Sequence, residues 1–252
     1  MNRQEFLHHL VAASSEFIRP LYAQRELEVE TKADQTPVTR ADKGAEALMR
    51  RMIAEKFPDD GILGEEFGGE RQGAEFVWVL DPVDGTKSFV GGVPLWGTLI
   101  ALLHEGEPIL GCINQPILGQ LLVGDTHSTT LNGNPVKCRD TRDVADALLL
   151  TTDWRAPAKY QDGPAFDRLA RSAAMCRTWG DCYGYLLVAT GWADVMLDPI
   201  MNPWDIAALV PVVRGAGGVI SDWHGGPAWP AESTVVSATP QLHDAVIATL
   251  QA

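Results

Sequence analysis

The sequence predicts a mixed fold of the α+β / α/β class, built in two parts. In residues 1 to about 142, two helical segments precede apolar strands joined by short turns, which indicates helices plus an antiparallel sheet. In residues 143 to 252, strands and helices alternate, a pattern typical of α/β units. A composition shift at Asp140-Thr141-Arg142-Asp143 marks the expected boundary between the two parts.

The first part begins with two amphipathic helices. Apolar residues recur at helical spacing through residues 2 to 25, and Pro20 is expected to bend or end this helix. A short strand, Leu27 to Thr31, and a polar loop over residues 33 to 39 follow. The second helix carries Asp42 in its first turn, where compensation of the helix dipole would by itself explain a carboxylate.

Strands make up the rest of the first part. Gly61 to Phe67 is predicted to be a short strand closed by two acids, and residues 68 to 73 a mobile, glycine-rich connection. The remaining predicted strands are Phe76 to Leu80, Trp96 to His104, Pro108 to Gln115 and Gln120 to Gly124, with turns at Glu105-Gly106-Glu107 and Asn132-Gly133-Asn134.

The second part alternates between the two kinds of element. Its predicted strands are Ala147 to Thr152, Arg177 to Trp179, Ala193 to Asp198, Val219 to Asp222 and Thr234 to Ala238. Its predicted helices are Phe166 to Met175, Tyr183 to Thr190, Pro203 to Arg214 and Gln241 to Leu250. Asn202 before Pro203 is typical of an N-cap followed by a proline at the first helical position.

The composition argues against several classes of function. The 252 residues, 46% of them hydrophobic, suffice for one large or two small cores. A net charge of −13 disfavours a nucleic-acid partner. No apolar run approaches the roughly 20 residues of a membrane span, and no signal peptide is recognisable, so no membrane partner and a cytoplasmic location are expected. The four cysteines lack C-x-x-C spacing, which argues against a zinc site or a disulfide framework.

The most informative stretch is the end of the central strand. Asp81-Pro82-Val83-Asp84-Gly85-Thr86 directly follows the apolar run Phe76 to Leu80, so two carboxylates, a glycine and a hydroxyl lie at its carboxyl end. Gly85 permits close approach of the backbone to a ligand, and a helical turn from Thr86 to Phe89 would point free N–H groups at an anion. The pattern indicates a site for metal and phosphate, with a plain turn at Asp84-Gly85 as the alternative.

Two other acidic motifs do not fit this stretch. The haloacid dehalogenase phosphatases use D-x-D-G-T, and here Pro82 occupies the position of their nucleophilic aspartate. An EF-hand loop would need a D-x-D-x-D-G ladder, which is missing.

Four separate segments resemble the inositol monophosphatase-like, magnesium-dependent phosphatases, in the order that this family has them. They are Val38-Thr39-Arg40-Ala41-Asp42 with Glu46, Gly64-Glu65-Glu66, Asp81 to Thr86 with Phe89, and Trp204-Asp205-Ile206-Ala207-Ala208 with Gly217-Gly218. The resemblance implies a layered αβαβα sandwich of the inositol monophosphatase / fructose-1,6-bisphosphatase type, a homodimer, and hydrolysis of a small-molecule phosphate monoester without a covalent intermediate.

The resemblance also implies roles for individual residues. The implied ligands of two or three Mg²⁺ ions are Glu65, Asp81, the Val83 carbonyl, Asp84 and Asp205. Asp42 and Thr86, with Glu65, are the implied catalytic residues that orient and deprotonate the attacking water, and Gly85, Thr86 and Lys87 would bind the phosphate. Two ions roughly 3.5–4 Å apart can activate water and stabilise the leaving alkoxide. Without cations, the converging carboxylates would repel one another.

Within the family, the segments around Trp179-Gly180-Asp181 and Ser221-Asp222-Trp223 resemble histidinol-phosphate phosphatases more than they resemble the inositol enzymes. Histidinol phosphate carries an ammonium group and an imidazole, and the expected substrate-binding acids are Asp84, Asp181, Asp198 and Asp205. A helix N-cap for Asp181 and a plain strand-end carboxylate for Asp198 are the alternatives.

Other functions remain open at this level. Inositol monophosphate, a nucleotide 3′-phosphate or a sugar bisphosphate are alternative substrates, and a regulatory or binding protein would keep the fold without turnover. The presence of both Asp42 and Thr86 argues against the last. Whether residues 33 to 39 and 68 to 73 close over a substrate is also open.

Overall fold

The computed structural model describes residues 1–24, 29–31 and 37–252. Within them the chain forms five alternating layers of helix and sheet. The α+β / α/β class and the αβαβα sandwich are therefore confirmed. In the same parts of the chain, no helix combines the length and the apolar composition needed to cross a bilayer.

Three α-helices and ten strands are described in the first part of the chain. The helices are α1 (Arg3–Ile18), which a short 3₁₀ helix (Arg19–Leu21) continues, α2 (Arg40–Lys56) and α3 (Thr86–Val90). The strands are β1 (Val29–Thr31), β2 (Pro37–Thr39), β3 (Gly61–Gly64), β4 (Gly68–Glu70), β5 (Phe76–Asp84), β6 (Gly97–His104), β7 (Glu107–Gln115), β8 (Gln120–Gly124), β9 (Thr129–Leu131) and β10 (Asn134–Pro135).

The described residues of the second part form six α-helices and five strands. The helices are α4 (Ala156–Tyr160), α5 (Gly163–Ser172), α6 (Asp181–Ala189), α7 (Pro203–Ile206), α8 (Leu209–Gly215) and α9 (Pro240–Leu250). The strands are β11 (Leu148–Leu150), β12 (Met175–Arg177), β13 (Val195–Asp198), β14 (Val219–Ser221) and β15 (Thr234–Ser237).

Two large sheets organise the described residues. The first has the order β10-β9-β8-β7-β6-β5-β3-β4 and is antiparallel except for the pair β3 and β5. The second has the order β12-β11-β13-β15-β14, with β12, β11 and β13 parallel to one another. Strands β1 and β2 form a separate antiparallel pair.

Helices separate and cover these sheets. Helices α1 and α2 pack on one face of the first sheet, and α6 and α8 fill the space between the two sheets. Helices α5 and α9 cover the outer face of the second sheet. The largest apolar cluster lies in the middle layer, where Val79 and Ile113 of the first sheet share a core with Leu186 and Val210. The division near residue 142 stays a prediction.

Three predicted elements were wrong, two because the segment pairs with another strand and one because of a proline within the segment. The polar loop predicted over residues 33 to 39 is a strand at residues 37–39, because Val38 pairs with Glu30. The rest of that loop (residues 33–36) and the first two residues of the strand predicted from Leu27 lie outside the described part of the chain. Gly68–Glu70 is a strand that pairs with β3, not a mobile connection. The single helix expected from Pro203 to Arg214 is broken after Ile206, since Pro211 has no N–H to continue the helical ladder.

Candidate active site

Two adjacent parallel strands bring Glu65 beside Asp81. Gly64 of β3 lies opposite Leu80 of β5, and both strands end at the same edge of the sheet. The N–H of Glu65, the next residue, donates to the Leu80 carbonyl at 3.2 Å. Burial raises the pKa of Asp81 well above its usual range, and the neighbouring Glu65 carboxylate raises it further.

An irregularity in β5 turns Asp81 and Asp84 toward the same side. Residues three apart in a regular strand point to opposite faces, but the register with β6 shifts between these two aspartates. The Pro82 carbonyl accepts the Thr98 hydroxyl at 2.8 Å, and Asp81 Oδ1 accepts the Val83 N–H at 3.0 Å. These bonds replace the regular ladder and fix the turn.

Asp205 joins this pair from the second part of the chain. It lies on α7, which packs against β5, and its Oδ2 accepts the Asn202 N–H at 2.7 Å in a capping box. One carboxylate oxygen from each of Asp81, Asp84 and Asp205 lies within 4.8 Å of the others. Such a set of hard oxygen ligands suits Mg²⁺.

The carboxylates of this cluster have raised pKa values. Burial raises the pKa of Asp84 well above its usual range and that of Asp205 to about 7, and nearby carboxylates add to both shifts. Three negative charges this close together and largely withdrawn from water repel one another. The three carboxyl groups therefore bind protons or a cation. The residues therefore fit a divalent metal ion.

Asp42 faces the same region from the start of α2. Its Oδ2 caps the helix, accepting the Thr39 N–H at 2.8 Å and the Thr39 hydroxyl at 2.6 Å. Its Oδ1 is 3.3 Å from Thr86 Oγ1, whose single proton can point either to this carboxylate or to the Val83 carbonyl at 3.1 Å. Asp42 is fully buried, and burial raises its pKa. Helix capping and contact with Thr86 are thus both observed, on different oxygens.

The first residues of α6 lie against the turn at Gly85. Gly85 has a φ of +85°, and a Cβ there would fall 2.9 Å from Asp181 Oδ2. The Cys182 N–H donates to Asp84 Oδ2, and the Ser88 hydroxyl is 3.3 Å from Asp181 Oδ2. Burial raises the pKa of Asp181 to about 7. Asp181 is the first residue of its helix, and its own side chain caps nothing there.

Asp198 is held at the end of β13. Its Oδ1 accepts the Thr152 N–H at 3.1 Å, and its Oδ2 accepts the Tyr185 hydroxyl at 3.0 Å. Tyr185 also contacts the Thr234 hydroxyl inside the core. Burial raises the pKa of Asp198.

A cavity of about 790 Å³ is lined by some of these groups, but not by Asp42, Glu65, Asp81 or Thr86. The acids that line it are Asp84, Asp153, Asp181, Asp198 and Asp205. The cations that line it are Lys87, Arg155 and Lys159. The four acids expected to bind substrate therefore share one cavity with Lys87, one of the residues expected to bind phosphate.

Thr152 carries no recognisable sequence signal. It contacts Asp198 from 46 positions away, whereas Cys182 and Tyr185, which also contact the acids, lie in the segment around Asp181 that resembles histidinol-phosphate phosphatases. In the sequence, Glu46 is marked only as part of the family motif that begins at Val38-Thr39. Of the tryptophans near the motifs, Trp96 is fully buried, as expected of a core residue, whereas Trp179 is 42% exposed.

Comparisons with known proteins agree with this geometry. The sequence matches the Inositol monophosphatase family over residues 2–252. It is 44% identical to a histidinol-phosphatase from Chlorobaculum parvum, covering 81% of this chain and 79% of the relative. It is 34% identical to a histidinol-phosphatase from Mycobacterium tuberculosis, covering 96% of this chain and 95% of the relative.

A solved structure of an inositol monophosphatase from Zymomonas mobilis is also similar. It superposes with a TM-score of 0.87 at 36% identity, and the match covers 97% of this chain and 96% of that one. The family match spans nearly the whole sequence and includes every residue of the acidic site. The chain belongs to the inositol monophosphatase family of phosphatases.

Proposed function

We propose that this protein is a Mg²⁺-dependent phosphomonoesterase that hydrolyses L-histidinol phosphate to L-histidinol and phosphate, a step of histidine biosynthesis. The observation that carries the proposal is the shared cavity, in which Asp181 and Asp198 face the same space as Asp84 and Asp205. The histidinol-phosphatases among the similar proteins support the same assignment.

The substrate's chemistry suits this arrangement. Histidinol phosphate has an ammonium group and an imidazole, both of which donate hydrogen bonds that a carboxylate accepts strongly. Asp181 and Asp198 supply such acceptors on the wall of the cavity that Asp84 and Asp205 also line. An inositol ring offers only neutral hydroxyl groups to these carboxylates.

In the proposed mechanism, Glu65, Asp81, Asp84, Asp205 and the Val83 carbonyl hold the metal. Bound Mg²⁺ would supply Lewis-acid activation of water and charge stabilisation of the leaving oxygen. The Val83 carbonyl has two lone pairs, and Thr86 uses one of them in its 3.1 Å hydrogen bond. Fixing these ligands on two strands and a helix pre-organises the site.

Asp42 and Thr86 are the proposed proton acceptors for the attacking water. The Thr86 hydroxyl lies 3.3 Å from Asp42 Oδ1, so it can pass a proton to that carboxylate while accepting one from water. The water oxygen bonds to phosphorus, the ester P–O bond breaks, and the leaving alkoxide takes up a proton from solvent, which balances the proton that Asp42 receives. Gly85 and Thr86 N–H groups and Lys87 hold the phosphate oxygens.

A panel of phosphate esters tests the substrate. With Mg²⁺ present, we expect kcat/KM for histidinol phosphate to exceed that for inositol 1-phosphate, a nucleoside 3′-phosphate and fructose 1,6-bisphosphate by at least about tenfold, the effect of one lost polar contact. Equal or better turnover of another ester would contradict the assignment. Absence of any turnover would favour a regulatory or binding role.

Inositol monophosphate is the second candidate substrate. The observation in its favour is the 36% identity to the Zymomonas mobilis inositol monophosphatase. We also propose that the protein is a homodimer, which light scattering in solution would test. The cytoplasmic location and the absence of nucleic-acid and membrane partners remain predictions.

A further inference from the structure

Three parallel strands of the second sheet end around Thr152. Strand β11 lies between β12 and β13, and all three run in the same direction. Thr152 follows β11, Asp181 follows β12 across a short connection, and Asp198 ends β13. Since the carboxyl ends of parallel strands share one edge of the sheet, Thr152 lies between the two acids of the cavity wall.

Thr152 makes one hydrogen bond toward each acid. Its N–H donates to Asp198 Oδ1 at 3.1 Å, and its Oγ1 accepts the Asp181 N–H at 2.8 Å. Gly180 packs directly on it, because a Cβ at Gly180 would fall 2.2 Å from the Thr152 Cα. The positions of both acids therefore depend on the backbone and the hydroxyl of one residue.

The backbone of Asp181 depends on the hydrogen bond from its N–H to Thr152 Oγ1 more than a residue with a negative φ would. Its φ of +48° lies in the left-handed region, which is unfavourable for a residue with a Cβ. Neighbouring contacts must hold it there. Without the Thr152 acceptor, the Asp181 N–H would lose its partner, and the backbone would be free to leave this conformation.

We infer that Thr152 is a positioning residue for substrate selection, which fixes the orientation of Asp181 and Asp198 relative to each other. The inference rests on the proposed function in one respect, namely that the two acids bind the cationic groups of the substrate. The structural coupling of the acids through Thr152 does not depend on which polar ester is the substrate. Thr152 thus acts through the acids and not on the reacting phosphate.

The preceding residue offers a matched control. Thr151 is fully buried, and within the described parts of the chain its Oγ1 has no hydrogen-bond partner. Thr151→Val and Thr152→Val make the same change at neighbouring positions. Only Thr152→Val removes a hydrogen-bond acceptor, so a difference between the two variants reports on that bond.

The experiment measures kcat and KM for histidinol phosphate and for p-nitrophenyl phosphate, which has no cationic group. In Thr152→Val, we expect the ratio of the two kcat/KM values to fall roughly tenfold, mainly through KM for histidinol phosphate, as loss of one hydrogen bond predicts. Thr152→Ser keeps the hydroxyl and should restore the ratio, and Thr151→Val should leave it unchanged. The Mg²⁺ concentration for half-maximal activity should stay constant throughout.

The outcomes separate this inference from the proposed function. An unchanged ratio in Thr152→Val overturns the inference, and so does an equal fall in Thr151→Val. If the wild-type protein prefers another polar ester, the proposed function fails and the ratio is measured with that ester; a selective fall in Thr152→Val then still supports the positioning role. If Thr152→Val does not fold, Thr152→Ala removes the same hydroxyl and carries the comparison.

Discussion

Glu46 and Arg50 form a buried ion pair on α2, with 2.7 Å between Glu46 Oε1 and Arg50 Nε. The same carboxylate accepts two backbone N–H groups of the turn after β3, from Glu66 at 2.8 Å and from Phe67 at 3.2 Å. Arg50 donates to the Gly68 carbonyl of that turn. The pair therefore ties α2 to the residues that directly follow Glu65.

Replacing Glu46 should weaken both stability and metal binding. Glu46→Gln leaves the Arg50 guanidinium, which is only 10% exposed, without its buried charge partner, so we expect the free energy of unfolding to fall by about 3 kcal/mol. Because the turn beside Glu65 loosens, the Mg²⁺ concentration for half-maximal activity should rise. Urea denaturation and a Mg²⁺ titration measure the two effects.

A second partner of Arg50 provides the control for this variant. Arg50 also lies 3.1 Å from Glu70, but that side chain is 57% exposed. Glu70→Gln should change the free energy of unfolding by less than about 1 kcal/mol, because an exposed ion pair contributes little. Equal effects of the two substitutions would show that burial of the Glu46 pair is unimportant.

Asp81→Asn should abolish Mg²⁺-dependent turnover while the fold is kept. The asparagine amide oxygen can still accept the Val83 N–H, so the local turn has no reason to change. In the metal-free protein at pH 8, loss of one repelling carboxylate should leave thermal stability equal or higher. The exposed Asp59→Asn serves as control. Retained turnover would contradict the proposed metal site.

The metal-free protein should lose stability as the pH rises. Asp181 and Asp205 have pKa values of about 7 in the folded protein, against 3.8 for the ordinary side chain. Between these values the folded state binds more protons than the unfolded state, so the free energy of unfolding falls as pH increases through that window. Urea unfolding in EDTA at pH 5 and pH 7.5 measures this difference.

Added Mg²⁺ should oppose this loss of stability at higher pH. A cation bound only by the folded state raises stability, and it binds best when the carboxylates are ionised. The gain in thermal stability on adding Mg²⁺ should therefore be larger at pH 7.5 than at pH 5. A metal-free protein that becomes more stable over the same rise in pH would contradict the assigned pKa shifts.

Gly85→Ala should damage the turn that is proposed to bind phosphate. The φ of +85° makes any side chain unfavourable, and the new Cβ would also lie 2.9 Å from Asp181 Oδ2. We expect a loss of more than about 1 kcal/mol in the free energy of unfolding and a clear fall in kcat/KM. Steady-state kinetics and urea denaturation measure these effects.

Gly106→Ala is the matched control for the backbone contribution. Gly106 has a similar φ of +87°, but no atom lies within 4 Å of the place that a Cβ would occupy. This variant should show a loss of stability of about 1 kcal/mol with unchanged kcat/KM. A comparable kinetic defect in Gly106→Ala would argue against a specific role for the turn at Gly85.

Much of the site is encoded locally. The apolar strand before Asp81, the tight turn at Gly85 and the position of Asp42 in a first helical turn follow from short-range propensities, and the structure has all three, although β5 continues beyond the predicted Leu80 to Asp84. The order of the four motifs was also enough to indicate the family and its layered sandwich. These features could be predicted because each depends on residues only a few positions apart.

Only the tertiary structure decided how these pieces meet. Gly68–Glu70 forms a strand because it pairs with β3. The Cys182 bond to Asp84 spans 98 positions, and the bond from Thr152 to Asp198 spans 46. The acids that these contacts orient could be recognised from the sequence alone. The contacts themselves depend on strand order and layer packing, which local sequence patterns do not encode.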